Sequence, residues 1–258
     1  MDYRQTIRNR MPRNNDSRVR WRLSPTQIAL GILVVLPLYF YCSQYIATAI
    51  LKLFFKTFAL SATYNLLIVW LNFINDIIIF LVAGAVLWTY VRPQLIDARR
   101  NFVEIALVGI IEGMILMYMA LAIGNLFVSL FSSSTTSVNE LTIRTLLKSH
   151  PLVMSLTTVV LAPIAEELVF RGVIFGSLRQ FNKPLAYIVS SFAFGFVHVS
   201  NSVFAGNFGE MIQMVPYMMM GLVLAFIFDQ QDNICASILT HMTNNAVATL
   251  FNILMALI

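Results

Sequence analysis

The sequence is poor in charge: only 11% of its 258 residues are Asp, Glu, Lys or Arg, whereas 59% are hydrophobic. Soluble domains average about 25% charged and roughly 45–50% apolar residues, so this composition excludes an ordinary soluble protein. The mean hydropathy of +0.78 indicates instead that most of the chain lies in a lipid bilayer. Backbone polar groups in lipid are satisfied only in helices or closed barrels. We therefore predict an all-α, polytopic helix bundle.

Cysteine and histidine are also scarce. The two cysteines, Cys42 and Cys235, stand alone and form neither a CxxC motif nor a framework of paired thiols. The HExxH pattern, which places two zinc-binding imidazoles one helical turn apart, is absent from the sequence. With three histidines in all, the sequence contains no recognisable metal motif.

Positive charge is concentrated at the start of the chain. Residues 1–22 carry seven arginines and two aspartates, which accounts for the whole net charge of +5. A basic segment beside an apolar span is typical of the cytoplasmic end of a membrane protein and can contact anionic lipid. Since few aromatic residues lie among the arginines, we expect no nucleic-acid partner. The prediction is a basic cytoplasmic tail, 1–23, on a multi-pass protein of the plasma membrane.

The remainder, 24–258, is predicted to be a single transmembrane domain. A span needs about 20 apolar residues. Seven segments qualify, with eight spans as the alternative: about 24–45, 66–91, 102–131, 152–177, 184–200, 211–229 and 234–257. Segment 46–62, with Lys52 and Lys56 one turn apart, is predicted to be an interfacial amphipathic helix. The basic loops RPQLIDARR and LRQFNK are predicted to be cytoplasmic, and the loop 132–150 external.

The fourth predicted span contains three charged residues within LAPIAEELVFRGVIFG, residues 161–176. Ionisable side chains inside a membrane indicate a functional site by default. Glu166 and Glu167 point about 100° apart on a helix, so they cannot serve one point in space. Glu167 and Arg171 are four residues apart, which favours an ion pair. We predict that Glu166 is the working carboxylate and that the Glu167–Arg171 pair supports it.

Two other predicted spans carry histidines within apolar sequence. In FGFVH, Phe194 and His198 share a helix face, and in HMTNN, His241 and Asn245 do the same. Each motif alone is compatible with an ordinary buried hydrogen bond between helices. Together with Glu166 they would bring a carboxylate, two imidazoles and an amide to one cavity. Such a set could activate water and stabilise an oxyanion, as peptide hydrolysis requires.

The three motifs, EELVFRG (166–172), FGFVH (194–198) and HMTNN (241–245), resemble in order those of the CPBP intramembrane protease family. That family includes type II CAAX prenyl endopeptidases and bacteriocin-processing or self-immunity proteins. The resemblance covers about residues 155–255 and implies a catalytic core within 152–258. It also implies an integral membrane endopeptidase whose site is recessed from the cytoplasmic side.

The resemblance implies a role for each motif residue. Glu166 would activate the attacking water, His198 would help to bind it, and His241 with Asn245 would hold the oxyanion. Supporting roles would fall to Glu167, Arg171 and Phe194. The substrate would be a membrane-embedded or lipidated peptide or protein, such as a pheromone or bacteriocin precursor or a CAAX-like tail.

Several alternatives stay open at this stage. Glu166, His198 and His241 could form a zinc site with an open fourth position, although we favour catalysis without a metal. The protein could instead be a non-catalytic immunity or sensor-regulating partner of the same family, or a transporter with a polar path. Two other intramembrane acids, Asp76 and Glu112, are predicted to be locally satisfied. Glu112 lies between Gly109 and Gly113, a spacing that predicts close helix contact.

Overall fold

A computed structural model describes residues 20–132 and 134–257, and every regular element in these ranges is a helix. Eight helices follow in chain order: α1 Pro25–Thr57, α2 Tyr64–Arg100, α3 Phe102–Phe131, α4 Val138–Ser149, α5 Pro151–Leu178, α6 Lys183–Phe204, α7 Phe208–Gln231 and α8 Ile234–Leu257. The predicted all-α polytopic bundle is confirmed.

Six of these helices, α1, α2, α3, α5, α6 and α7, are long and apolar enough to cross a membrane. Helix α8 has 24 residues, about 36 Å at 1.5 Å per residue, which exceeds the ~30 Å of a hydrocarbon core. Its polar residues, among them His241, Asn244, Asn245 and Asn252, lower its hydropathy. The described structure thus contains six apolar spans and a seventh helix that has spanning length but lower hydropathy. The sequence predicted seven spans.

The boundary predicted within the first hydrophobic region is wrong. Helix α1 continues through Tyr45 to Thr57 instead of giving way to a separate interfacial helix over 46–62. Neither glycine nor proline occurs between Pro37 and Thr57 to interrupt it. The helix ends at Phe58, and the next residue, Ala59, has a left-handed backbone with φ of 49°.

The predicted tail lies almost wholly outside the described residues, which begin at Arg20. From that point the chain packs against the bundle. Arg20 pairs with Asp97 at the end of α2, and its backbone N–H donates to Asp232 between α7 and α8. Arg179, after α5, also pairs with Asp232, at 2.5 Å. Burial raises the pKa of Asp232, while the Arg179 guanidinium opposes that rise. This ionic cluster joins four parts of the chain at one end of the bundle.

Helices α3 and α8 approach closely where α3 has glycines. The Thr240 hydroxyl of α8 donates to the Gly109 carbonyl at 2.7 Å. A Cβ atom added at Gly113 would overlap the Thr240 side chain and lie 2.7 Å from its Cγ2. The small-residue spacing predicted to form a helix contact does so, and the helix it contacts is the one that carries the HMTNN motif.

Gly113→Ala is therefore expected to destabilise the protein by about 1–3 kcal/mol, the usual range for overpacking a tight contact. Gly84→Ala provides the matched control, since no atom lies within 4 Å of a Cβ at Gly84. That variant should be neutral, or stabilised by up to about 1 kcal/mol of helix propensity. Thermal unfolding of both variants in detergent would measure the difference. Equal melting temperatures would contradict the close contact.

Candidate active site

Helix α5 changes its hydrogen-bond register on both sides of the glutamate pair. Thr157–Leu161 and Leu168–Phe175 are π-helical, and the α-helical turn Ala162–Glu167 lies between them. The Ala162 N–H donates to the Thr157 carbonyl, five residues back. Such widened turns occur frequently at functional sites.

Glu167 and Arg171 form the predicted ion pair. Glu167 Oε1 lies 3.0 Å from Arg171 Nη1, and neither side chain has any exposed surface. Arg171 Nη2 also donates to the Gly221 carbonyl of α7 at 2.9 Å, and its guanidinium lies 4.7 Å from the centre of the Phe194 ring. The pair therefore joins α5 to α6 and α7 in the closed interior.

His241 connects the two glutamates. Its Nδ1 lies 3.2 Å from Glu167 Oε1, and its Nε2 lies 3.8 Å from Glu166 Oε2. Glu167 is fully buried, whereas 17% of the Glu166 side chain is exposed. Glu166 Oε2 and Glu167 Oε2 are both buried without a hydrogen bond from the described residues. The two glutamates differ in that Glu167 Oε1 is held by Arg171 and His241 inside the bundle, whereas the Glu166 side chain is partly exposed.

His198 reaches this group through an aromatic contact. Its Nδ1 lies 2.7 Å from the Phe194 carbonyl, so the tautomer that satisfies this carbonyl leaves Nε2 as an acceptor. The imidazole lies between two rings: Phe194 at 4.7 Å and Tyr217, which stacks on it at 4.4 Å and 18°. The Phe194 ring is also 5.7 Å from the His241 ring. Phe194 therefore contacts both imidazoles.

The Asn245 side chain is hydrogen-bonded to helix α5. Its Nδ2 donates to the Thr158 carbonyl at 2.9 Å, and its Oδ1 accepts from Asn244. In the π register, Thr158 would be bonded by the N–H of the residue five places on, but that residue is Pro163, which has none. The carbonyl that Pro163 leaves free thus joins α5 to the HMTNN helix.

Two aromatic neighbours of the motif residues escaped sequence reasoning. Tyr217 lies in the methionine-rich segment of α7, where nothing in the sequence singles it out as a partner of His198. The Tyr39 ring of α1 lies 5.4 Å from the Phe170 ring. Asp76 of α2 has a local partner, as predicted, since Asn75 Nδ2 donates to its Oδ1 at 3.3 Å. Glu112 belongs elsewhere, in a shallow apolar hollow on the outer surface of α3.

The proposed zinc ligands do not converge in the described structure. Within residues 20–132 and 134–257, no group of three His, Cys, Asp or Glu side chains is arranged to hold a metal ion. His241 approaches Glu166, but His198 is bonded to the Phe194 carbonyl and lies against the Phe194 ring. We derive no step through a metal at this arrangement.

Comparison with models of known protein families shows what the motif-bearing region resembles. Residues 148–247, which contain all three motifs, match the family model described as "Type II CAAX prenyl endopeptidase Rce1-like". The region that carries the three motifs is therefore similar to type II CAAX prenyl endopeptidases. The predicted resemblance is confirmed, and with it a link to membrane proteases at the level of the family.

Two curated proteins are similar to parts of this chain. "Putative membrane peptidase YdiL" of Bacillus subtilis (strain 168) is 24% identical over 185 residues, which are 71% of this chain and 70% of that protein. "UPF0177 protein YxdF" of Lactococcus lactis subsp. lactis (strain IL1403) is 29% identical over 86 residues, 33% of this chain and 42% of that protein. The match thus spans less than half of the lactococcal protein. No solved structure matches this chain significantly.

Proposed function

We propose that this protein is an intramembrane endopeptidase that hydrolyses a peptide bond of a membrane-associated peptide or protein. The observation that carries this proposal is the difference between the environments of the two adjacent glutamates. Glu167 is fully buried and held by Arg171 and His241, while the Glu166 side chain is partly exposed and its Oε2 lies 3.8 Å from an imidazole nitrogen. A carboxylate in that position is suited to act as a general base.

In the proposed reaction, Glu166 takes a proton from a water molecule as the water oxygen attacks the scissile carbonyl carbon. His198 Nε2, left as an acceptor, helps to hold that water. When the C–N bond breaks, the amine leaves with the proton that Glu166 had taken. The products are a carboxylic acid and an amine and Glu166 is again a carboxylate, so the atoms and charges balance.

His241 has the role of oxyanion donor. Its Nδ1 lies 3.2 Å from Glu167 Oε1, which fixes the orientation of the ring. A proton on Nε2, on the Glu166 side of the ring, would bond the developing oxyanion. One hydrogen of the Asn245 amide is used on Thr158, which leaves the other as a second donor. We propose that this chemistry needs no metal ion.

The proposed substrates are a peptide pheromone or bacteriocin precursor, or a lipidated, CAAX-like tail. The proposed location is the plasma membrane, with the N-terminal segment in the cytoplasm and its arginines near anionic lipid. The basis for the orientation is the excess of Lys and Arg in residues 1–22 and in the loops after α2 and α5.

Mass spectrometry of membrane peptides from cells that carry the wild type or Glu166→Gln tests the proposal and identifies the substrate. We expect cleaved peptides that are present with the wild type and absent with the variant at equal expression. If Glu166→Gln and His198→Ala both retain full biological activity, the function is not proteolysis. A non-catalytic immunity or sensor-regulating role would then replace it.

A further inference from the structure

The two halves of α5 differ in burial on either side of Glu166. The eleven consecutive residues 167–177 are all buried, whereas 159–162, 164 and 166 are only half-buried. Leu87 of α2, Phe228 of α7 and Ile234 of α8 have no exposed surface and belong to one core cluster with Phe170 and Phe175 of α5. A closely packed, mainly apolar plug thus separates the glutamates from the end of the bundle at Leu178.

Toward the opposite end of the bundle, the site continues through polar groups. Tyr217, which stacks on His198, has its hydroxyl 2.8 Å from Ser137 Oγ and 3.3 Å from Asn139 Nδ2. Ser137 and Asn139 begin α4, in the loop between α3 and α5. His198, Tyr217 and Asn139 are each half-buried. A chain of polar side chains therefore leads from the site to the α4 end of the bundle.

Basic residues are distributed unequally between these two ends. Of the 12 Lys and Arg residues in the described parts of the chain, seven lie in segments at the plugged end: Arg20, Arg22, Arg92, Arg99, Arg100, Arg179 and Lys183. Four lie in the segments of the α4 end: Lys52, Lys56, Arg144 and Lys148. Five more arginines precede Arg20 in the sequence. Lys and Arg accumulate in the cytoplasmic segments of membrane proteins, so the plugged end is the cytoplasmic one.

We propose that the site opens to the extracytoplasmic face of the membrane and is closed to the cytoplasm. This is the reverse of the cytoplasmic recess that the family resemblance implied. The consequence for substrates rests on the proposed peptidase function. The scissile bond would lie in a membrane-anchored peptide or protein segment near the outer surface of the bilayer. Prenylated tails held in the cytoplasmic leaflet would not reach Glu166.

Cysteine accessibility in whole cells tests the orientation without requiring activity. In a full-length background with Cys42→Ser and Cys235→Ser, single cysteines replace Glu166, Thr142 on α4, or the 81%-exposed Phe181 after α5. Intact and permeabilised cells are first treated with a small, permanently charged methanethiosulfonate, which blocks the cysteines that it can reach. The cysteines that remain free are then labelled with a maleimide-linked polymer, and the labelled fraction is read from the shift in gel mobility. We expect Glu166→Cys and Thr142→Cys to lose their free thiol in intact cells, and Phe181→Cys only after permeabilisation.

The proposal is overturned if Glu166→Cys reacts only after permeabilisation, or from neither side, while Thr142→Cys reacts in intact cells. It is equally overturned if Phe181→Cys, rather than Thr142→Cys, reacts in intact cells. Ser202→Cys, half-buried one turn beyond His198 on the same helix face, serves as the reporter if Glu166→Cys does not accumulate. The labelling pattern is independent of catalysis, so a failure of the proposed peptidase function would leave it unchanged.

Discussion

Glu166→Gln is expected to lower the rate of peptide hydrolysis by about 10²–10⁴-fold, the contribution typical of a positioned general base. Glutamine keeps the size and shape of the side chain but cannot accept a proton from water. The buried oxygen at this position has no hydrogen bond from the described residues that would make it a structural group. The measurement is the initial rate on the peptide identified by mass spectrometry, with protein purified in detergent.

Glu112→Gln is the matched control, since it removes the charge of another glutamate within a membrane helix, one that lies in a hollow on α3. That variant should keep the wild-type rate. A chelator should leave the wild-type rate unchanged under the proposed chemistry. Activity lost to chelator and restored by stoichiometric zinc would require a metal mechanism in its place. A Glu166→Gln rate within a few-fold of wild type would remove Glu166 from catalysis.

Arg171→Met is expected to give the largest loss of stability, about 3–5 kcal/mol, because it leaves the carboxylate of Glu167 buried without its cation. Arg171 and Glu167 have no exposed surface, so solvent cannot compensate for the loss. The substitution also removes the hydrogen bond to the Gly221 carbonyl that holds α7 against α5. Unfolding in detergent against a denaturant series measures the change.

A surface pair provides the comparison for this experiment. Arg144 and Glu140 are also four residues apart, with Nε 2.9 Å from Oε1, but their side chains are 44% and 31% exposed. Arg144→Met should therefore cost about 0–1 kcal/mol, as exposed pairs do. Similar losses at the two sites would show that burial of the Glu167–Arg171 pair has no energetic consequence.

The double variant Glu167→Gln with Arg171→Met separates stability from positioning. Removing both charges eliminates the uncompensated carboxylate, so most of the stability should return. Activity should stay low, because His241 Nδ1 would no longer face a carboxylate. If stability and activity recover together, Glu167 and Arg171 have no role in positioning His241.

The sequence by itself determined the membrane class, the helical architecture and the pairing of Glu167 with Arg171. These follow from composition and from spacing along one helix, where residues four apart are neighbours whatever the rest of the fold does. The order of the three motifs was sufficient to predict the family. The contact of Gly109 and Gly113 with another helix was also predictable, since small residues allow close approach of backbones, but its partner α8 was not.

Only the tertiary structure decided how the three motif helices meet. The stacking of Tyr217 on His198, the contact of the Phe194 ring with the His241 imidazole and the bond from Asn245 to the Thr158 carbonyl each join separate helices. Such contacts depend on how packed helices are rotated and shifted against one another, which spacing within one helix does not specify. The burial of residues 167–177 has the same origin, because exposure depends on the surrounding helices rather than on the residue itself.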